Sequence, residues 1–393
     1  MVKIKLIPAE YGECIVVSVG GKKQFNLLID GGVAKTYQEY VKSEIQRIKI
    51  LGQRINLMVC THMDNDHISG LVQILKKTNY DLVDNVWYNG FLQVVSRKFY
   101  SQKDNNYTDR DNKILETIIS QGTIPDGEQE VGINEGMSMG VLVENRKIPL
   151  NEIVAGQAIS TESVRNKIEI TKNVYISILG PSKENIIEVE EYWKKEMVSR
   201  NFMFRVSNKI KLMEAFEYQL ERIKTQYLEE RLNISEIDDL EKYIGDLKEF
   251  DESIVNRSSI SFILVYDNKK YLFLGDAVID ETILRNIENV VGFKYRFSAI
   301  KLPHHGSRYN ITHEFICRYT ADEYYCLTNS KKYDHPDLEV LATILCKDSH
   351  FKKVVFNYPI IKAYFLDKKE WKEKYNYEVI IGDGKTIMER IFE

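Results

Sequence analysis

Apolar and polar positions alternate with a period of two at the start of the chain. Val2, Ile4 and Leu6 are separated by Lys3 and Lys5, the pattern of a half-exposed strand. Gly12-Glu13 turns into a second strand, Cys14 to Val19, and Gly20-Gly21 makes a hairpin turn to a third, with Phe25, Leu27 and Ile29 and an end at Asp30-Gly31-Gly32. From Tyr37 to Ile48 the period lengthens to that of a helix. Ile55 to Cys60 is apolar throughout, as in a buried strand, and Ile68 to Lys77 is amphipathic, as in a helix. Further strands are expected at Val83 to Tyr88 and at Val174 to Leu179, the latter closed by Gly180-Pro181. Between them lies a polar stretch, 101–130, with a short helix around Ile114 to Ile119, then a helical run from Asn134 to Asn145. Lys183 to Glu252 has no proline, only Gly245 as glycine, and a density of Glu, Lys, Leu and Ile that predicts two or three helices. Ile260 to Tyr266 and Lys270 to Leu274 form a hairpin around Asp267-Asn268. Strands follow at Ser298 to Leu302 and near Tyr324 to Leu327, then a helix from Asp337 to Cys346. Residues 357–393 hold short strand-like pieces without an assignable pattern. The αβ succession predicts two sheets packed face to face with helices outside, an αββα sandwich.

Length and composition leave this picture in place and narrow its setting. The chain has 393 residues, enough for a sizeable core in one large domain with insertions or in two domains. The net charge is −4, so there is no global basic footprint, although a local groove can still be basic. The five cysteines are scattered singly, with no C-x-x-C, as expected of core residues in a reducing cytoplasm. The N-terminus lacks a signal-peptide core, and no run approaches membrane-spanning length.

The chemistry concentrates in Thr61-His62-Met63-Asp64-Asn65-Asp66-His67, between a strand end and a helix start. His62 and Asp64 alternate on an extended backbone and can point the same way. Asp66 and His67 lie at the helix start, where exposed N–H groups favour negative charge. A polar loop with one Asp as helix cap explains one carboxylate, not two imidazoles and two carboxylates at this spacing; the pattern is that of metal ligands. It resembles the H-x-H-x-D-H signature of the metallo-β-lactamase superfamily, with Asp64 in place of the second histidine, the form found in the metallo-hydrolase domain of the ComEC-type DNA-uptake proteins. Later segments resemble the same subfamily: the opening meander with its G-(D/E) turn and L-I-D-G-G end, Asn256-Arg257-Ser258-Ser259, Gly275-Asp276, Pro303-His304-His305-Gly306-Ser307, and Asn329 through Tyr333-Asp334-His335-Pro336. Asp334 and Asp337 depart from it, standing where the subfamily has Gly and His.

The resemblance covers roughly 1–356, less the helical segment. It implies a division into 1–182 and 253–356 as two halves of a metallo-hydrolase core, 183–252 as a helical insertion acting as lid or docking surface, and 357–393 as a C-terminal extension. It implies two divalent metal ions: one on His62, Asp64 and Asp276, the other on Asp66, His67, Asp276 and one of His304 and His305, with Asp276 bridging. Asp30 would support the metal loop by hydrogen bonding. The superfamily's further histidine is absent, since no His lies between His67 and His304, so the first site is expected to be weak. The carboxylate-rich set moves the expected metal from Zn²⁺ towards Mn²⁺, with Mg²⁺ also suited. His305 is expected to be the ligand and His304 to touch substrate, because adjacent strand residues face opposite ways. His335 suits protonation of a leaving oxygen, against a plain role rigidifying the loop before Pro336. Asp66, His304 and His335 are thus the catalytic candidates. The expected function is a cytoplasmic phosphodiesterase, most naturally a nuclease using a metal-activated hydroxide, with nucleic acid or another phosphodiester as substrate. By resemblance it would be an effector in bacterial phage defence beside an operon-encoded NTPase. Two other readings stand beside it: a hydrolase of small phosphodiesters or nucleotides, and a metal-poor scaffold for a partner.

Overall fold

The computed structural model describes residues 1–21, 23–77, 82–96, 109–120, 138–164, 167–204, 209–221 and 239–393. Their strands, in chain order, are β1 (Val2–Leu6), β2 (Ile15–Val19), β3 (Phe25–Ile29), β4 (Leu57–Val59), β5 (Val86–Trp87), β6 (Ile168–Thr171), β7 (Val174–Gly180), β8 (Ser261–Tyr266), β9 (Lys269–Phe273), β10 (Tyr295–Lys301), β11 (Tyr319–Cys326), β12 (Lys352–Phe356), β13 (Tyr377–Ile381) and β14 (Met388–Phe392). They form a six-stranded sheet ordered β14-β1-β2-β3-β4-β5 and an eight-stranded sheet ordered β13-β12-β11-β10-β9-β8-β7-β6.

Side-chain alternation sorts these strands into layers. Ile4, Val17, Leu27 and Val59 of the first sheet meet Phe262, Leu264, Tyr271 and Phe273 of the second in one buried cluster between the sheets. The opposite faces carry Val16, Leu28 and Met58 towards one helical layer, and Ile263, Leu272 and Ile300 towards another. This is the αββα sandwich that the succession of elements predicts. At the expected hairpin, Asp267 and Asn268 both take positive φ (51° and 67°), the geometry that matches a two-residue turn to strand twist.

Three features differ from the sequence expectation. β1 is not half-exposed, because helix Lys42–Ile50 covers its outer face. Lys5 is buried, its Nζ 2.5 Å from Glu44 Oε1 and 3.4 Å from Glu389 on β14. The C-terminal segment has assignable structure: helices Ile361–Leu366 and Lys369–Tyr375 precede β13, which pairs parallel with β12, and β14, which pairs antiparallel with β1. It therefore supplies an edge strand to each sheet. A helix at Glu281–Val291, capped by Asp280, also went unassigned.

The expected helical insertion contains helices Lys183–Ser199 and Lys209–Glu221 and a 3-10 turn at Leu240–Tyr243; its residues 205–208 and 222–238 lie outside the described residues. Trp193 and Phe216 pack with ring centroids 5.4 Å apart and both meet Phe91, in the cluster that holds Leu71 and Ile74 of helix Asn65–Lys77. Helices are also present at Asp109–Ser120 and Met139–Asn145; residues 134–137 of the expected second helix lie outside the described residues. Among the described residues no helix is long and apolar enough to cross a membrane.

Candidate metal centre

β3 and β4 run parallel, as do β9 and β10. The loops that carry the site therefore leave the same ends of these strands. Asp30 follows β3, Thr61 and His62 follow β4, Asp276 follows β9, and His304 and His305 follow β10. Backbone bonds tie the loops together: Ile260 N–H donates to Thr61 O (2.8 Å), Gly31 N–H to His67 O (2.8 Å) and His304 N–H to Gly275 O (3.1 Å). Close approach requires two of the glycines. A Cβ on Gly12 would lie 2.0 Å from Asp66 O, and one on Gly70 would lie 1.9 Å from Gly31 O.

Each imidazole is oriented through its Nδ1. Asp30, fully buried at φ 54°, accepts the Thr61 N–H on one oxygen (2.8 Å); its other oxygen accepts the Thr61 hydroxyl (2.8 Å) and faces His67 Nδ1 (2.9 Å). His62 Nδ1 meets the Thr61 hydroxyl at 3.0 Å. His305 Nδ1 donates to Leu327 O at 2.7 Å and faces Glu13 Oε1 at 3.1 Å. These bonds leave the Nε2 atoms for the interior of the site. His67 Nε2 lies 3.4 Å from Asp276 Oδ2 and 3.9 Å from Asp66 Oδ2; His62 Nε2 lies 3.8 Å from Asp276 Oδ2, and His305 Nε2 lies 3.8 Å from Asp66 Oδ2.

The side chains fit a divalent metal ion. Nε2 of His62, His67 and His305 and Oδ1 of Asp276 are buried without a hydrogen-bond partner among the described residues. Buried polar atoms are rarely left so, and these converge. Donor atoms within 4.8 Å of one another fall into overlapping groups, His62-His67-Asp276 and Asp66-His67-His305, and Glu13 joins Asp276 and His305 in a third. Asp64 is outside these groups; it approaches His62 Nε2 at 3.6 Å and is partly exposed.

Burial and opposite charge pull these groups in opposite directions. Burial alone would raise the Asp66 carboxyl, but His305, His67 and Lys332 hold it below its ordinary value. Burial opposes ionisation of Asp276 too, and His67, His304 and His62 override it to hold the carboxyl well down. Burial would lower His67, yet Asp276 and Asp30 raise it well above an ordinary imidazole. His304 is pushed up to about 9 against burial by Asp276 and Asp251. The raised imidazoles of His67, His304 and His305 mark a negative field from the surrounding carboxylates, the kind of field that attracts divalent cations.

His304 and His305 do not alternate as strand residues. Both have positive φ (43° and 57°), so both rings turn inward, His305 towards Asp66 and His304 Nε2 to within 3.8 Å of Asp276 Oδ2. His304 Nδ1 is held by Asn310 Oδ1 at 3.0 Å, with Asp251 at 3.6 Å. The His335 ring lies 5.0 Å from that of His304, and burial lowers its pKa despite Asp337 alongside. The expected candidates thus lie around one centre, with Asp64 and His335 at its margin.

Several neighbours carried no sequence assignment. Lys301 is buried against Glu13, donates to Gly275 O at 2.8 Å and lies 3.8 Å from Asp276 Oδ1. The G-(D/E) turn was the available signal for Glu13. A lone lysine in an apolar strand offered none for Lys301. Asp251, at the end of the helical segment, accepts from Asn256 Nδ2 and Asn310 Nδ2 beside His304.

Residues 8–86 match the family model described as the metallo-beta-lactamase superfamily. No protein with a curated description matches the chain. Similar solved structures include the metallo-beta-lactamase fold protein YhfI from Bacillus subtilis, at 8% identity, 99% coverage of each chain and a TM-score of 0.37. Igni18, a metallo hydrolase from the archaeon Ignicoccus hospitalis, is similar at 12% identity, 100% coverage of each chain and a TM-score of 0.38. Zn²⁺-bound PqqB from Methylobacterium extorquens is similar at 8% identity, covering 99% of this chain and 100% of its own, with a TM-score of 0.39.

Proposed function

We infer that this chain is a metallo-hydrolase of the metallo-β-lactamase superfamily, and we propose that it cleaves phosphodiesters, with nucleic acid as the substrate. The observation that carries the reading is the convergence on Asp276, whose Oδ2 lies within 3.8 Å of Nε2 of His62, His67 and His304. A carboxylate so placed suits the bridge between two cations. Asp66 and Asp276 add carboxylate oxygens to the imidazole nitrogens of His62, His67 and His305, a mixed donor set that suits Zn²⁺ or Mn²⁺. When bound, divalent cations here supply Lewis acidity that activates water and offsets charge on phosphoryl oxygens.

The chain's own residues would orient and exclude. Asp30 and Thr61 fix His67 and His62; Asn310 and Asp251 fix His304, which would touch the substrate phosphate. His335, ring to ring with His304, would pass a proton to a leaving oxygen.

The net charge of −4 favours a second reading, hydrolysis of a small phosphodiester or nucleotide. Metal analysis of the purified chain, followed by incubation in Mn²⁺ with DNA, RNA and bis(4-nitrophenyl) phosphate, separates the two. Bound metal with cleavage of a polynucleotide is expected. Turnover of the small ester alone would select the second reading, and a metal-free, inactive protein would leave a scaffold role. The resemblance to stand-alone relatives extends the proposal to an effector beside an NTPase in phage defence, testable by plaque counts with wild type and Asp276→Asn.

A further inference from the structure

The loop after β11 brings Lys332 and Tyr333 to the site. Tyr333 is half-buried, with its ring 6.1 Å from that of His304, whose Nε2 faces Asp276. Burial, and then the charges of Asp66, Asp64 and Asp276, push the Tyr333 hydroxyl up, so the ring sits in the field of these carboxylates. Lys332 is exposed, and its ammonium lies 4.6 Å from the Tyr333 ring centroid and 4.6 Å from that of Tyr11. Tyr11 comes from the other half of the sandwich, beside Gly12 and Glu13. The rings therefore bracket one cation across the junction of the two halves. Its charge reaches Asp66, yet among the described residues it is in no ion pair; the neighbouring carboxylate, Asp334, is taken by Lys362 at 3.2 Å.

Two π-faces hold an ammonium in place and leave N–H donors for an incoming anion. Beside a cation-binding centre, such a group suits a second phosphate on the same substrate. Half-exposed tyrosines at the same spot offer the surface on which bases of single strands stack. A simple diester such as bis(4-nitrophenyl) phosphate has neither second phosphate nor nucleobase. We propose that Lys332, bracketed by Tyr11 and Tyr333, is a subsite for the phosphate adjacent to the scissile one in a single-stranded nucleic acid, with Tyr11 supporting the adjoining base. This rests on the phosphodiesterase reading for its functional meaning, but the subsite can be tested by binding alone.

The test uses the full chain as wild type, Lys332→Ala, Lys332→Glu and Tyr11→Ala. Binding of a fluorescent single-stranded oligonucleotide is followed by anisotropy in Ca²⁺, and cleavage of the oligonucleotide and of bis(4-nitrophenyl) phosphate in Mn²⁺. One charge-assisted contact corresponds to roughly a tenfold effect. Lys332→Ala should weaken oligonucleotide binding by about that factor, Lys332→Glu by more. The plot of log affinity against log salt should become shallower by about 0.7, as for one lost phosphate contact to a single strand. Oligonucleotide cleavage should fall relative to the small ester, chiefly through KM. Unchanged affinity, salt slope and substrate ratio in the Lys332 variants would overturn the subsite. If wild type cleaves neither ester but the variants still lose binding and slope, the subsite stands and the phosphodiesterase reading falls.

Discussion

Asp276 is the residue on which the site turns. Its carboxylate faces three imidazoles and the buried ammonium of Lys301. Asp276→Asn keeps the shape and removes the charge that would hold two cations together. Metal content by mass spectrometry should fall at both positions, and turnover should drop by several orders of magnitude, as expected when metal-assisted water activation is lost. A variant within a few-fold of wild type with full metal content would remove Asp276 from the centre. Much of this centre was legible beforehand because its chemistry is concentrated: His62 to His67, Gly275-Asp276 and His304-His305 are short runs in which several donors sit where a loop needs none. Glu13 had a signal in the G-(D/E) turn, whereas Lys301 and Asp251 were not legible as neighbours of the site, because each is a single charged residue whose meaning depends on what the fold brings opposite it. The histidine pair departs from strand alternation for a local reason. Alternation holds only on extended backbone, and both residues adopt positive φ.

At the scale of elements, alternation revealed the strands with one face in the inter-sheet core, and turn chemistry revealed the Asp267-Asn268 hairpin. It failed at the edges: β13 and β14 are short and partly exposed, β13 joins β12 across two intervening helices, and β14 finds β1 only when the ends of the chain meet. Helix Lys209–Glu221 shows what its composition concealed. Its Glu217 is buried and accepts the N–H groups of Met139 (2.8 Å) and Gly140 (2.9 Å), while burial pushes its carboxyl up to about 7. Glu214 and Glu221 lie one turn away on either side, raised by burial and by Glu217 to about 7 and about 8. A carboxyl whose folded pKa exceeds its unfolded one keeps its proton in the fold after the unfolded chain has released it. The cost to stability is absent below about pH 4.5, grows as the pH rises, and is complete near 7. Glu217→Gln cannot ionise. Its stability relative to wild type should therefore shift in its favour by about 3 kcal/mol between pH 4.5 and pH 7, whatever constant offset its altered hydrogen bonds impose. Urea unfolding of both proteins across this range measures the difference, and parallel stability curves would show that Glu217 is ionised in the fold.

At the scale of the whole molecule, the segment 183–252 bears on whether the sandwich is complete without it. Its helical composition and its attachment near Pro181 and Asn256 predict a segment that can be replaced by a short linker, since loop length itself costs little. The packing favours the opposite expectation. Trp193, Met197, Phe216 and Leu220 are fully buried in the cluster that holds helix Asn65–Lys77, while Leu240 and Leu247 join the cluster on the far side of the other sheet. At roughly 1.5–3 kcal/mol for each fully buried large side chain, those first four alone contribute about 6–12 kcal/mol. That is comparable with the whole net stability of an ordinary domain, about 5–15 kcal/mol. The segment also carries Asp251, 3.6 Å from His304 Nδ1. Replacing 183–252 with a Gly/Ser linker should therefore give a chain that aggregates or unfolds without a cooperative transition and holds no metal. Asp251→Ala in the intact chain should keep the cooperative transition and metal binding but misorient His304, lowering kcat with little change in KM. A soluble, metal-binding excised chain would show instead that the segment is an appended lid or docking arm. The helices over the first sheet would then be dispensable to the sandwich they cover.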